Sequence, residues 1–422
     1  MFYPPPYISN LSILSSHFLL DIMQFMVNID LVYILSVLIP VIIMPIVLPM
    51  VVLMARRKRM TDNPNARKIQ DRPVAVMGGT VIMLVMCVAC IVINVLYNIS
   101  GLFPALCVMV ILYIFGMLDD NIGLNWQFKL GIQAFILLLL YFGGNYGIDS
   151  LVNLLGFGAM PRWLSCIVTV FVGMILLNAV NFADGIDGLA SGLGAMTGLV
   201  MGYWNMEHEF VVSALISFTV FGTLLSFFVF NVFSKRYKMY MGDSGSLVLG
   251  MFIFMSVCPD TYYFFDETLL TDNYFISFNI ALLSAFVFDM VRVVFLRVLN
   301  GKSPFEPDRT HLHHAFVDVG MSHLQATLRI LMQNILVIAV WYVTAIMGLN
   351  SFLQYVLVLL AGVVFIWGPY FYLAYLRTKH TKRYIYKKKR IEHRRTKLDR
   401  FSNVMARIVD GKRKNQMTHT IK

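Results

Sequence analysis

The chain has 422 residues, of which 58% are hydrophobic and only 14% charged, and its mean hydropathy is +0.72. That composition excludes a water-soluble globular fold, which could not keep so apolar a surface solvated. The formal net charge of +11 is also uneven: residues 377–422 hold 17 Lys+Arg against 3 Asp+Glu, leaving 17 basic and 20 acidic residues for the rest.

From the N-terminus, residues 1–30 have no early basic segment and no clean cleavage site, so no cleaved signal peptide is expected. Beyond them the chain reads as about eleven apolar segments of spanning length. They run 31–54, 73–97, 101–118, 126–143, 162–180, 186–205, 210–231, 244–258, 275–297, 326–348 and 352–376. The short 244–258 and the glycine-rich 186–205 leave ten as the alternative count. The expected fold is an all-α integral membrane protein, a polytopic bundle of ten or eleven transmembrane helices. It divides into a membrane catalytic domain, 1–376, and a basic cytoplasmic tail, 377–422. The five cysteines lie in or at the ends of apolar segments and read as small buried hydrophobes.

A basic tail beside a span reads as cytoplasmic and attracted to anionic lipids rather than to nucleic acid, because aromatic interleaving stops at Tyr384 and Tyr386. Eleven spans then put the N-terminus outside. Loops 55–72, 119–125, 181–187, 231–243 and 298–325 fall inside, and of the basic residues before the tail only Arg162 falls on the other side. Loop 259–274 carries four acidic residues and no basic one, as an outer loop should. The polar clusters gather at the inner ends of the spans, while the span interiors are almost free of charge. Chemistry at the cytoplasmic interface suits that pattern better than transport, which needs polar groups near mid-membrane.

Four constellations punctuate the inner loops. Asp119 and Asp120 close LYIFGMLDD; adjacent carboxylates couple their proton affinities and can hold a cation or take a proton. Lys129 and Gln133 follow on the next span, positioned to face the same pocket. In NAVNFADGIDGLASG, Asn178, Asn181, Asp184 and Asp187 recur every three residues, a spacing that stacks them on one face if the segment is helical. MGDSGSLVLG sets Asp243, Gly245 and Ser246 at a helix start, where backbone N–H groups favour phosphate and Asp243 can hold Mg²⁺. SPFEPDRTHLHH brings His311, His313 and His314 beside Arg309. Diphosphate contacts by Arg309 and the imidazoles suit this cluster better than zinc, since no cysteine or second histidine cluster lies in an inner loop. Asp289 and Arg292, three apart near the inner end of a span, read equally as a site pair or as an ion pair that makes charge tolerable there.

Taken in order, RPVAVMGG, GMLDD, NAVNFADGIDGLA, MGDSGSLVLG and SPFEPDRTHLHH resemble the motifs of the polyprenyl-phosphate N-acetylhexosamine-1-phosphate transferases over residues 72–325. The last motif is closest in form to the undecaprenyl-phosphate GlcNAc-1-phosphate branch. The resemblance implies transfer of a sugar-1-phosphate from a UDP-N-acetylhexosamine to a polyprenyl phosphate, with release of UMP, at the cytoplasmic face of a bacterial inner membrane. The phospho-N-acetylmuramoyl-pentapeptide transferases of peptidoglycan synthesis are the alternative branch, and a transporter of lipid-linked sugars is the alternative class. The resemblance also implies a Mg²⁺ cofactor, replaceable by Mn²⁺, on Asp243 and Asn181. It implies Asp119 and Asp120 at the lipid phosphate, Asp184 in the same site and Asp187 toward the nucleotide-sugar. His311, His313 and His314 would meet the diphosphate or its sugar, and Arg72 would lie near the nucleotide. Lys129, Asn178, Ser246 and Arg309 complete the expected substrate contacts. Direct attack by the lipid phosphate and a phospho-aspartyl route both stay open, as does a homodimer. One departure is the loop NVFSKRYKMYMGD, which lacks the family's proline and is about two residues longer, so Asn231 and the Lys235–Lys238 register inherit no role.

Overall fold

The computed structural model describes residues 31–58, 61–62, 74–99, 102–143, 146–148, 160–258, 274–304, 309–378, 398–399 and 401–410. Arg72 and Asp308 lie outside them. All eleven expected segments are helical: α1 Leu31–Arg57, α2 Gly78–Tyr97, α3 Leu102–Ile122, α4 Trp126–Gly143, α5 Arg162–Ala183, α6 Leu189–Glu207, α7 Val211–Phe233, α8 Gly242–Val257, the pair α9 Tyr274–Leu282 and α10 Ser284–Leu299, α12 His323–Ile346, and α13 Ser351–Gly362 continued through a π-helical turn, Val363–Trp367, into α14 Gly368–Thr378. A short helix, α11 Leu312–Asp318, carries two of the clustered histidines. A further helix occupies 401–409 in the tail.

Among the described residues, eight helices are long and apolar enough to cross a bilayer. The three segments that miss that standard miss it for different reasons. Helix α6 is diluted by glycine. Helix α8 has 16 residues, too few to span, yet its side chains from Ser244 to Ser256 are all buried. It packs against α2, α3 and α5 inside the bundle, so it has no hydrocarbon thickness to match. Gly116 of α3 makes that packing close: a Cβ there would stand 2.4 Å from Cα of Ser244.

The third segment is broken at Leu283, and the break is stapled. Buried Asn334 of α12 accepts the N–H of Ala285 at 2.7 Å and the Ser284 hydroxyl at 2.9 Å, and donates to the Leu282 carbonyl at 2.8 Å. A helix interrupted inside a bundle exposes backbone groups that need such partners. One asparagine therefore does here what water would do at a surface.

Outward-facing Ile42, Ile46 and Met50 of α1, Phe135 and Phe142 of α4, and Phe171 of α5 remain exposed, as lipid-facing side chains should. A small sheet, which the all-helical reading did not anticipate, sits at one end of the bundle. Strand β1, Thr61–Asp62, pairs antiparallel with β2, Val74–Val76, and β2 pairs parallel with β3, Met239–Tyr240. Asn231 ties this sheet to the loop before α6: its amide donates to the Met239 carbonyl at 2.8 Å and its oxygen accepts the Gly188 N–H at 2.6 Å.

Candidate active site

The ends of α3 and α5 and the starts of α4, α6, α8 and α12 meet at the end of the bundle that carries the sheet. Asp119 and Asp120 stay helical in the last turns of α3, so they point in different directions and do different things. Asp119 is buried, ion-paired with Lys129 of α4, and accepts the Leu124 N–H at 2.9 Å. Asp120 accepts the backbone N–H groups of Asp243 at 2.9 Å and Ser244 at 3.1 Å, and the Ser244 hydroxyl at 2.8 Å. It thus caps α8 from another helix. The N-terminus expected to receive a phosphate already holds a carboxylate, the charge its orphan donors and dipole favour.

Held this way, Asp243 stands between Lys129, whose Nζ is 3.3 Å from Oδ2, and Asn181, whose amide donates to Oδ1 at 3.1 Å. The Asn181 amide also donates to Ser246 Oγ at 2.9 Å. Ser246 is fully buried on the packed face of α8, which leaves it no side toward a substrate. Asn178, one turn deeper on α5, donates to Gln133 Oε1 at 2.8 Å and to the Met174 carbonyl, so its amide serves the α4–α5 contact.

The three-residue stripe proves shorter than its spacing suggests. Helix α5 ends at Ala183 with Asp184 as its cap. Asn178 and Asn181 share the helical face, while Asp184 and Asp187 lie on the turn that follows. Asp184 turns toward the carboxylate corner. Burial pushes its proton affinity well above the ordinary carboxylate range, the charges of Asp243, Asp187 and Asp120 push the same way, and the Gly242 N–H offsets only part of this. The corner holds more negative charge than Lys129 neutralises.

Asp187 has the opposite environment. Its Oδ2 lies 2.6 Å from Lys238 Nζ and 2.8 Å from His323 Nδ1. Burial would raise its proton affinity, but the His323 hydrogen bond and the Lys238 ammonium outweigh burial and hold it below the ordinary range. Thr327 fixes the same turn by donating to the Asp187 carbonyl at 3.0 Å. The reading from sequence did not single out His323. Its one signal was a titratable side chain at the mouth of an apolar helix, just after Ser322, which forms a capping box with Gln325.

The histidine segment is anchored from α10. Asp289 accepts from Arg292 at 2.6 Å, from the Leu312 N–H at 3.0 Å, and pairs with His311 Nδ1 at 2.9 Å. Arg292 donates to the Thr310 carbonyl at 2.8 Å and lies 3.5 Å from the Tyr370 ring centroid. Asp289 and Arg292 thus hold the histidine backbone in place while satisfying each other's charge. The rings of His311 and His313 are nearly parallel with centroids 5.4 Å apart, and His314 sits 4.3 Å from His313, because α11 begins at Leu312 and its first turn gathers them. His313 is buried with Nε2 free of any protein hydrogen bond. Burial, then the neighbouring His314, pushes its proton affinity well below the ordinary imidazole range; for His314 the causes are burial and Arg309. Arg309 itself is exposed and pairs with Asp318 at 3.1 Å. Gly185 brings the histidines to the acidic turn: a Cβ at that position would lie 2.2 Å from His313 Nε2.

Two groups could hold a cation. Ligand atoms of Asp289, His311 and His313 lie within 4.8 Å of one another, but the Arg292 guanidinium already occupies Asp289. The corner of Asp184, Asp243 and Asn181 offers hard oxygens and unrelieved negative charge. It fits Mg²⁺, which needs only one or two carboxylates and completes its shell with water and phosphate oxygens.

Fold and site together define a multi-pass membrane protein whose polar side chains gather at one end of the helices. Residues 102–258 match the model of glycosyl transferase family 4. An undecaprenyl-phosphate alpha-N-acetylglucosaminyl 1-phosphate transferase of Escherichia coli O157:H7 is 28% identical over 278 residues, 65% of this chain and 73% of that protein. A decaprenyl-phosphate N-acetylglucosaminephosphotransferase of Mycobacterium leprae is 27% identical over 305 residues, 66% and 75% of the two chains. A probable undecaprenyl-phosphate N-acetylglucosaminyl 1-phosphate transferase of Bacillus subtilis is 26% identical over 309 residues, 72% and 83%. The chain is thus similar to glycosyl transferase family 4 over residues 102–258, and to polyprenyl-phosphate N-acetylglucosamine-1-phosphate transferases over about two thirds of its length.

Proposed function

We propose that this protein transfers N-acetylglucosamine-1-phosphate from UDP-N-acetylglucosamine to a polyprenyl phosphate, giving a lipid-linked diphospho-sugar and UMP. The observation that carries the reading is the meeting of Asp119, Asp120, Asp184 and Asp243, from α3, the α5–α6 turn and α8, at a single membrane mouth with Lys129 among them. Such a corner repels anionic substrates unless a cation is present, so a divalent ion belongs to the reaction. Asp243 and Asp184, with Asn181 beside them, would hold Mg²⁺, which supplies charge neutralisation of the diphosphate and of the departing UMP.

The chain's own residues have separable tasks. Asp120 spends three hydrogen bonds on the start of α8 and aims Asp243, which leaves it a poor nucleophile. Asp119 with Lys129 can orient the incoming lipid phosphate and take its proton. The neutral, half-buried imidazole of His314 can donate to the donor sugar-diphosphate, while buried His313 backs it with Nε2 against the Gly185 turn. In-line attack by the lipid phosphate follows, with the protein holding two anions together against their repulsion. The positive-inside pattern supports a cytoplasmic position for this mouth and for the basic tail, whose charge would attract anionic lipid; the expected membrane is a bacterial inner membrane.

The test is UMP release by purified protein in lipid nanodiscs. Release is expected to require UDP-N-acetylglucosamine, polyprenyl phosphate and Mg²⁺ together, and to fall at least about a thousandfold in Asp243→Ala, the scale of losing a principal charge-stabilising group. Full turnover in that variant, or release without the lipid, would overturn the reading.

A further inference from the structure

The C-terminal tail returns to the catalytic end of the bundle. In the helix 401–409 and its last residue, Ser402, Met405, Ala406, Val409 and Asp410 turn inward, a stripe with helical spacing. Ala406 is buried, and Phe401 meets Phe233, at the end of α7, edge-on at 6.0 Å. The polar contacts all fall on the turn that leaves α7. Asp410 Oδ1 accepts the Ser234 hydroxyl at 2.5 Å, and Oδ2 accepts the N–H groups of Lys235 at 3.0 Å and Arg236 at 3.2 Å. Ser234 in turn accepts the Tyr237 N–H at 2.7 Å. Lys235 Nζ donates to Asn403 at 2.6 Å, and Arg56 of α1 donates to the Arg236 carbonyl at 2.7 Å. A carboxylate that gathers successive backbone N–H groups fixes a turn as a cap fixes a helix start.

This turn leads straight into the site. Two residues beyond Arg236, Lys238 pairs with Asp187; then come β3 and Asp243. The family's proline is missing from this loop, so the chain needs another means of setting its course. We propose that the tail helix is a clasp in which Asp410 is a positioning residue: it sets the 234–236 turn so that Lys238 reaches Asp187 on the side that receives the nucleotide-sugar. The proposal rests on the function given above for its kinetic arm, and on geometry alone for its exchange arm.

Full-length protein in nanodiscs is compared with Asp410→Ala, Asp410→Glu, Lys238→Ala, the Asp410→Ala/Lys238→Ala double variant, and a chain ending at residue 396. Asp410→Ala is expected to raise the KM for UDP-N-acetylglucosamine about tenfold, the scale of a charge-assisted hydrogen bond, with the KM for polyprenyl phosphate unchanged. Lys238→Ala should do the same, and the double variant no more, because both act through one contact. Asp410→Glu should recover part of the loss, and a synthetic peptide of residues 397–414 should restore the shortened chain. Independently, the amides of Lys235 and Arg236 should exchange with solvent faster in Asp410→Ala. Unchanged donor KM in Asp410→Ala and in the shortened chain would overturn the clasp. So would equal rises in both KM values with a lowered melting temperature, which would mean general loosening. If the wild-type protein releases no UMP, the functional reading fails, while unaltered exchange at those two amides would still defeat the clasp by itself.

Discussion

The two acidic regions of the site are built in opposite ways. In the corner of Asp119, Asp120, Asp184 and Asp243, four carboxylates share one ammonium, Lys129, and Asp184 resists ionisation. Around Asp187 and Asp289 each carboxylate is matched: Lys238 and His323 serve the first, Arg292 and His311 the second. The first region keeps unrelieved negative charge, as the proposed cation site requires. The second has its charges matched within the protein and holds the imidazoles of His311 and His313 buried, with His314 half-buried beside them. The proposed transfer, which must bring two anions together, would use both, one to take up a metal and one to receive a diphosphate without further charge.

The difference has a sign that can be measured. Asp184 has a folded proton affinity above the value of about 3.9 for a free aspartate, so the folded state binds the extra proton. Its contribution makes the metal-free protein less stable as pH rises from about 4 through the folded value. Asp187 is lowered, so its pairing stabilises the fold above about pH 4 and is lost as pH falls through the folded value. Asp184→Asn should therefore raise the melting temperature of the metal-free protein at neutral pH and abolish the further rise that Mg²⁺ gives the wild type. Turnover should drop at least about a hundredfold, the cost of one electrostatic contact to the reacting charge. A variant that kept the Mg²⁺-dependent rise would move the cation elsewhere and erase the contrast.

Gly185 joins the two regions, and a methyl group there should disturb one of them. The collision with Nε2 of buried His313 has to push the ring or the turn aside. Gly185→Ala is expected to lower kcat/KM about tenfold to a hundredfold, the effect of a displacement of about 1 Å at a reacting centre. Stabilisation by Mg²⁺ should survive where the ring gives way rather than the turn, because the proposed ligands Asp243 and Asn181 lie on α8 and α5. Loss of both would mean that the regions are one unit.

Much of this was legible in the sequence. Apolar runs of spanning length, charge at their inner ends and five ordered motifs gave the helices and most of the site. What stayed hidden was how polar groups are shared across helices distant in sequence. The spacing of Asn178, Asn181, Asp184 and Asp187 looked like one stripe, but α5 stops at Ala183 and the two aspartates part company. The start of α8 looked open to phosphate, but Asp120 from α3 caps it, a contact across more than a hundred residues. Ser246 shares a motif with Asp243 yet faces Asn181 in the packed interior. His323 carried no motif at all, and only the fold brings it to Asp187.

Asn334 offers the smallest expected effect on chemistry and a control on everything else. It lies in neither region and staples the break between α9 and α10 through three hydrogen bonds. Asn334→Ala leaves the Leu282 carbonyl and the Ala285 N–H to seek partners inside an apolar bundle. The expected cost is about 1–3 kcal/mol, the penalty for buried groups left unpaired. It should be read as a lower unfolding midpoint in detergent, with both KM values and the Mg²⁺ dependence within error of wild type. The reason is that α12 reaches the site only at its first residue, His323, about three turns from Asn334, while Asp289, four residues beyond Ala285, is held by Arg292, His311 and the Leu312 N–H. If Asn334→Ala instead shifted the donor KM, the break would be a hinge between the membrane interior and the histidine segment, and the neutral region would depend on packing well below the mouth.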